Sequence, residues 1–204
     1  MCFRISFFLL LVISSKLFAQ NNYPAIDPVG INIVRDSFGV PHIFAKTDAE
    51  VAFGLAWANA EDAFEETQNL IYVAKGLTGT AKGVEGAKAD FFVHAIGARN
   101  IVEEKFDTDL TPEFKKYLNG YMQGVNAFAA AHPEKVKVPR AFPITEKDLI
   151  TTYVVTMSFL VGAQNNVGDA VGGKYDKDSI DYRPQPTVGS NAYALNSTRT
   201  ADAK

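Results

Sequence analysis

The chain has 204 residues, of which 47% are hydrophobic and 21% charged, a globular composition that argues against long disorder. This length suits one ordinary domain or a piece of a larger one. The formal net charge of −3 gives no general electrostatic attraction for nucleic acid or anionic lipid, so we expect neither as a partner of the mature form.

Residues 1–19 have the pattern of a signal peptide. Arg4 supplies a positive charge, residues 5–13 are almost wholly apolar, and Ala19 offers a small residue for cleavage. The apolar run is shorter than the ~20 residues that span a membrane, with an uncleaved anchor as the alternative. We therefore expect a periplasmic or secreted protein. Because Cys2 is the only cysteine, the mature form would have no disulfide, thiolate nucleophile or cysteine-ligated metal.

A hairpin and a long helix are the first folded elements that the sequence predicts. Residues 31–34 and 40–45 are two short β-prone runs separated by turn residues. Thr47 and Glu50 then form a capping box, which opens a helix that runs to about Lys75. A stripe of small residues on this helix predicts close packing against another element: Ala52, Leu55, Ala56, Asn59 and Ala60.

The middle of the chain predicts a loop and two further helices. Residues 76–86 contain four glycines and favour a loop, and a short helix is expected at residues 90–105. Thr111 and Pro112 are typical of a helix start, because proline's missing N–H costs nothing at the first position. His132 ends that helix, whose apolar residues follow at helical spacing.

The last third of the chain predicts one helix, an extended connection and one strand. Thr145 and Asp148 open a helix that continues to about Gly162. Residues 164–189 are rich in Asn, Gly, Asp and Pro, and residues 191–195 resume a strand pattern. The fold class is therefore α+β and mainly helical. A strand without a sequence neighbour suggests a sheet whose remainder is absent.

The sequence contains no conventional catalytic motif. The three histidines, His42, His94 and His132, accompany no Gly-x-Ser-x-Gly elbow and are expected to be structural or solvated. No HExxH, Walker or dinucleotide-binding motif occurs either.

The Gly189–Ser190 bond, between the extended connection and the final strand, suits a different chemistry. If it is cut, Ser190 gains a free α-amine whose pKa of about 8 lets it act as general base for its own Oγ. Glycine before the bond leaves the backbone free for an N→O acyl shift. From these residues alone, an ordinary Gly-Ser loop entering a strand remains the alternative.

Three blocks of the sequence resemble the penicillin acylase family. They are Val34–Ala45, then Thr47-Asp48 with Ala52–Asp62, and lastly Ser190–Leu195 with Thr198-Arg199-Thr200. The blocks occur in the family's order, at about the spacing of its α subunit, and the resemblance covers nearly all of the mature chain.

The resemblance implies a self-processing N-terminal-nucleophile hydrolase with an αββα sandwich, in which a precursor cuts itself into α and β chains. Ser190 would be the autoproteolytic and catalytic nucleophile, with Gly189 the last residue before the cut. The substrate would be a small N-acyl amide, penicillin-type or an N-acyl-homoserine lactone, and the partner the β subunit of the same precursor. The chain would comprise a signal peptide (1–19), an α-subunit region (20–163), a linker or spacer (164–189) and the truncated start of the β subunit (190–204).

The resemblance also assigns two residues outside the processing site. Met157 matches a position that lines the acyl pocket in relatives, and the residue four further on, often aromatic there, is Val161. Asp169 is the one charged oxygen ligand where some relatives bind structural calcium, and we expect no other cofactor.

The family's oxyanion-hole groups lie in the β subunit, beyond Lys204, so we expect this fragment to be inactive alone. The alternative function is a non-catalytic secreted remnant that binds small acylated molecules or another chain. A generic secreted helical domain is a further alternative, which the three blocks disfavour.

Overall fold

The computed structural model describes residues 23–174, and this part of the chain is a mainly helical α+β structure. Its elements are β1 (Asn32–Arg35), β2 (Pro41–Phe44), α1 (Asp48–Lys75), α2 (Thr78–Lys82), α3 (Val84–Ala95), α4 (Ala98–Asp109), α5 (Pro112–Ala131), α6 (Glu146–Leu160) and α7 (Ala163–Val171). The fold-class prediction is confirmed for these residues. No helix within this range has the length and apolar character needed to cross a bilayer.

The predicted hairpin is present and packs flat on α1. The two strands are antiparallel, with Ile33 opposite Ile43. Both isoleucines lie over Gly54 of α1, where an added β-carbon would be 2.7 Å from Cγ2 of Ile43. Arg35 continues the contact by donating to a carboxylate oxygen of Asp62 at 3.0 Å. The hairpin is therefore held on the N-terminal half of α1 by close packing and by an ion pair.

Helix α1 begins and ends where its sequence predicts. The Thr47 side chain accepts a hydrogen bond from the Glu50 amide, and the Glu50 carboxylate accepts one from the Thr47 amide at 2.8 Å. Gly76 ends the helix in the left-handed conformation at φ 62°, which favours glycine.

The centre of the fold is the contact between α1 and α5, where the backbones nearly touch. An added β-carbon at Gly120 would lie 2.1 Å from the carbonyl oxygen of Ala49, and one at Gly124 would lie 2.4 Å from that of Phe53. The alanines of the predicted small-residue stripe are buried in this contact. Larger side chains complete the core beside it: Ile71, Tyr72, Met122, Val125 and Ile144.

The loop predicted at residues 76–86 is wrong, because α2 and the start of α3 occupy most of it. Glycine serves close packing here, since a β-carbon at Gly86 would lie 2.2 Å from the carbonyl oxygen of Thr78. Gly83, at φ 68°, makes the turn between the two helices. The single helix predicted at residues 90–105 is also wrong, because Gly97, at φ 64°, separates α3 from α4.

The extended connection predicted from residue 164 is wrong over its first part, which forms α7. Val167 and Ala163 pack against a buried cluster that contains Phe92 and Val155, and this packing outweighs a composition typical of loops. Residues 175–189 of the connection, the strand at residues 191–195, the signal peptide and the start of the β subunit lie outside the described residues. The boundaries proposed for those segments stay predictions.

Candidate functional site

The predicted site residues fall into two groups. Gly189 and Ser190 lie outside residues 23–174, so the structure gives no geometry for the processing site. Met157 and Asp169 lie on α6 and α7, two consecutive helices joined at Gly162. The structural setting of the candidate site is therefore the surface of this helix pair.

Met157 belongs to an exposed apolar row that we name the α6 strip: Tyr153, Met157, Leu160 and Val161. Their spacing of four, seven and eight positions puts them on one side of the helix. They are 61%, 38%, 64% and 77% exposed respectively. Contiguous apolar surface of this kind is typical of a binding site in a water-soluble fold. The sequence shows the helical spacing of these four residues. Such an apolar row usually faces the protein core, so the exposure of the α6 strip could not be predicted from the sequence.

The opposite side of α6 is fixed by apolar packing. Val155 is buried in a cluster with Phe92 and Val93 of α3. The Phe159 ring lies 4.7 Å from the Phe92 ring, centroid to centroid. Because one side of the helix is held in this way, the α6 strip is presented by a rigid element rather than by a loop.

The N-terminus of α6 is anchored by Asp148, a residue that is only 1% exposed. Its carboxylate accepts hydrogen bonds from the Thr145 amide at 2.8 Å and from Nη1 of Arg99 at 3.0 Å. The Nζ of Lys75 lies 3.2 Å from Oδ2 of the same Asp148 carboxylate. One carboxylate thus joins the start of α6 to the end of α1 and the start of α4.

The surroundings of Asp148 favour its charged form. Burial by itself would raise the pKa of this carboxyl, but the Thr145 amide, the Lys75 charge and Arg99 together hold the pKa below its usual value. The sequence predicts Asp148 as a helix cap but gives no sign of its two cations, which are 73 and 49 positions away in the chain.

Asp169 does not lie in a metal site formed by the described residues. Its Oδ1 pairs with Nζ of Lys174 at 3.1 Å. Between residues 23 and 174 no three acidic, histidine or cysteine side chains are grouped as metal ligands. A calcium ion takes six to eight oxygen ligands, of which Asp169 would supply one carboxylate, and its calcium role stays a prediction.

The three histidines have structural or solvated surroundings, as the sequence predicts. The His132 ring packs 4.4 Å from the Phe128 ring, and His94 is exposed on α3. Nε2 of His42 lies 3.4 Å from the carboxylate of Asp36 in the hairpin turn.

Comparison with known proteins agrees with this architecture. The family model for penicillin amidase matches residues 30–204. The penicillin acylase 2 proenzyme of Pseudomonas sp. (strain SE83) is 32% identical over 101 residues, which are 50% of this chain and 13% of that protein. The acyl-homoserine lactone acylase PvdQ of Pseudomonas fluorescens (strain Pf0-1) is 31% identical over 127 residues, 62% of this chain and 14% of that protein.

The chain thus spans about one seventh of the length of these two relatives. A solved structure of a thermostable penicillin G acylase from Alcaligenes faecalis matches with a TM-score of 0.56 and 19% identity. The match covers 81% of this chain and 97% of that chain, and at this identity it shows the fold alone. Since the family model matches most of its length, the chain belongs to the penicillin amidase family.

Proposed function

We propose that the protein hydrolyses the linear amide of a small N-acyl compound, with Ser190 as an N-terminal nucleophile. The observation that carries this proposal is the extent of the family match, from residue 30 to 204, which includes both the helical scaffold and the Gly189–Ser190 bond. The similar proteins are named as a penicillin acylase and acyl-homoserine lactone acylases. The proposed substrates are therefore penicillin-type amides or N-acyl-homoserine lactones.

The Oγ of Ser190 accepts an acyl group twice, first from the precursor's own backbone and then from the substrate. In the precursor, Oγ of Ser190 attacks the Gly189 carbonyl carbon, the peptide nitrogen leaves as an amine, and water hydrolyses the resulting ester. The freed α-amine then takes the Oγ proton as this oxygen attacks the substrate amide. The leaving amine receives that proton, and water releases the acyl group as a carboxylic acid.

The described residues contribute a support and a surface to this reaction. The α6 strip offers apolar side chains for the acyl group, with Met157 at its centre and Val161 at its end. Buried contacts to α1, α3 and α4 hold this helix in place. We propose no cofactor step.

We propose that residues 1–19 direct export and that the mature protein acts in the periplasm or outside the cell. Its partner would be a β subunit from the same precursor. The solved penicillin G acylase chain is matched over 97% of its length, which supports a separate chain of about the described size. We propose that these 204 residues alone hydrolyse no amide, and that activity belongs to the assembled enzyme.

Mass spectrometry of the protein tests the processing step. The protein is expressed from its full open reading frame. We expect a chain that begins at Ser190, and we expect Ser190→Ala to remain uncut. Ser179→Ala, in the same segment, is the matched control and should be cut normally. An uncut native protein, or cleavage that persists in Ser190→Ala, contradicts the proposal.

A panel of N-acyl amides tests the reaction. Release of phenylacetate or of a fatty acid by the processed protein, lost in Ser190→Ala, is the expected result. Binding of acylated compounds without hydrolysis would favour the non-catalytic secreted remnant instead.

A further inference from the structure

The β hairpin has one strand edge that is fit to pair with another strand. Within residues 23–174 the sheet consists of β1 and β2 only. Two strands alone are marginally stable, and a third strand or a helix is the usual addition. Helix α1 covers the inner face, where Ile33 and Ile43 lie, but no strand in the described range covers either edge.

The two edges differ in their hydrogen-bonding groups. The Asp36 amide donates to the Val40 carbonyl at 3.1 Å, which makes these residues a hydrogen-bonded pair. Because such pairs alternate along an antiparallel ladder, Val34 bonds across to β2, whereas Ile33 and Arg35 direct their N–H and C=O groups away from it.

The corresponding edge of β2 is blocked by a proline. Pro41 pairs with Arg35, so the position that lacks an N–H faces outward from β2. Proline at such a position is a usual way to prevent strand addition. The free donors and acceptors therefore lie on β1.

The outer face of the hairpin is apolar beside that edge. Val34 is 54% exposed and Phe44 is 60% exposed. They lie diagonally across the two strands, a spacing that lets large side chains meet. A strand added at β1 would place its outward side chains next to Val34.

We propose that residues 191–195 of this chain dock as a third strand on the β1 edge. In this segment, Ala192 and Ala194 alternate with Tyr193 and Leu195. The small residues suit the inner side, where Ile33 and its neighbours already crowd α1, and the larger ones suit the outer face with Val34. The inference is independent of whether the Gly189–Ser190 bond is cut.

The chain is long enough for this docking. Sixteen residues lie between Lys174 and Asn191, and the resulting 17 Cα-to-Cα steps of extended chain reach about 56 Å. Helix α7 packs against the same cluster as Val73, and the hairpin packs at Gly54. Since α1 is kinked at Ala63, these two points are at most about 28 Å apart along the helix. The connection can therefore run from the end of α7 to the hairpin.

Disulfide trapping tests this arrangement in the full chain, with Cys2→Ala removing the native cysteine. Val34→Cys is combined in turn with Asn191→Cys, Tyr193→Cys and Leu195→Cys. We expect a bond within one copy of the protein for at least one pair, whether or not the Gly189–Ser190 bond is cut, because neighbouring strands bring β-carbons within bonding reach. His42→Cys, on the same face but one strand further away, is the matched control and should not cross-link.

Hydrogen exchange supplies a second readout that needs no cysteine. In Ala194→Pro, the amides of Ile33 and Arg35 should exchange at least about tenfold faster, whereas the Val34 amide should be unchanged. Equal cross-linking at Val34 and His42, or no effect of Ala194→Pro, overturns the proposal. A disulfide that joins two copies of the protein, rather than residues of one copy, would show instead that a second copy occupies the edge.

Discussion

A β-carbon placed on Gly120 would lie 2.1 Å from the carbonyl oxygen of Ala49. Helices α1 and α5 therefore meet backbone to backbone, with no room for a methyl group. Gly124 repeats the contact one turn later against Phe53. Interior packing of this density turns the smallest side-chain addition into a displacement of a whole helix.

Gly120→Ala should therefore destabilise the protein. The methyl group would force α5 away from α1, and overpacking of a core costs about 1–3 kcal/mol of unfolding free energy, or more when backbone blocks the site. Urea unfolding measures the change. Gly168→Ala, in α7 with no atom within 4 Å of the added carbon, is the control and should be neutral or stabilising.

Asp148→Asn should destabilise the protein at neutral pH. Removing the charge leaves Lys75 and Arg99 without their common partner. Because the Arg99 side chain is 48% exposed, we expect a cost of about 1–3 kcal/mol, below that of a fully buried pair. Asp169→Asn removes a surface pair with Lys174 and should cost less than about 1 kcal/mol.

The stability difference between the native protein and Asp148→Asn should depend on pH. Since the folded pKa of Asp148 is lowered, its contribution is fully present above the unfolded pKa of about 3.9 and is lost as pH falls through the folded pKa. Urea unfolding of both proteins should therefore show a difference that is constant near pH 7 and shrinks below about pH 4. A difference that grows on acidification would contradict the assigned direction.

Thr47→Ala should lower the unfolding free energy by about 1 kcal/mol, because the capping box at the start of α1 is lost. Thermal unfolding measures the change. Thr156→Ala makes the same chemical change in the middle of α6, where the hydroxyl bonds the Thr152 carbonyl. It should be neutral or slightly stabilising, since alanine is the better helix former. Equal losses in both variants would show that the cap contributes nothing of its own.

Met157→Ala should weaken the use of N-acyl substrates without unfolding the enzyme. The side chain is 38% exposed, so its loss leaves no buried cavity. Loss of apolar contact with an acyl chain corresponds to about tenfold in kcat/KM or more. Ile101→Ala, at an exposed site on α4, is the control. Steady-state kinetics of the processed enzyme with a long and a short acyl substrate checks both, and equal values for Met157→Ala and the native enzyme would remove Met157 from the pocket.

Local signals in the sequence predict the ends of the long helices correctly. The capping residues Thr47, Thr111 and Thr145, and the terminator Gly76, act within a few positions of themselves. Composition misled the prediction at residues 76–86, because glycine serves two purposes that look alike in a sequence. Gly83 turns the chain, whereas Gly86 lets another backbone approach.

The contacts that define the candidate site depend on distant parts of the chain. The pairing of Asp148 with Lys75 and Arg99, and the exposure of Tyr153, Met157, Leu160 and Val161, follow from how α6 packs on α1, α3 and α4. No short-range pattern carries that information. The processing residues Gly189 and Ser190, in contrast, were predicted from local chemistry and resemblance, and they stay predictions.

Asp148 and Met157 are nine residues apart on α6, which at about 100° per residue puts them on opposite sides of the helix. Asp148 faces Lys75 of α1 and Arg99 of α4, whereas the α6 strip is exposed. A new side chain at Tyr153, Met157 or Val161 therefore leaves the hydrogen bonds of Asp148 intact. The surface of the α6 strip can therefore be changed one residue at a time without loosening the helix that carries it.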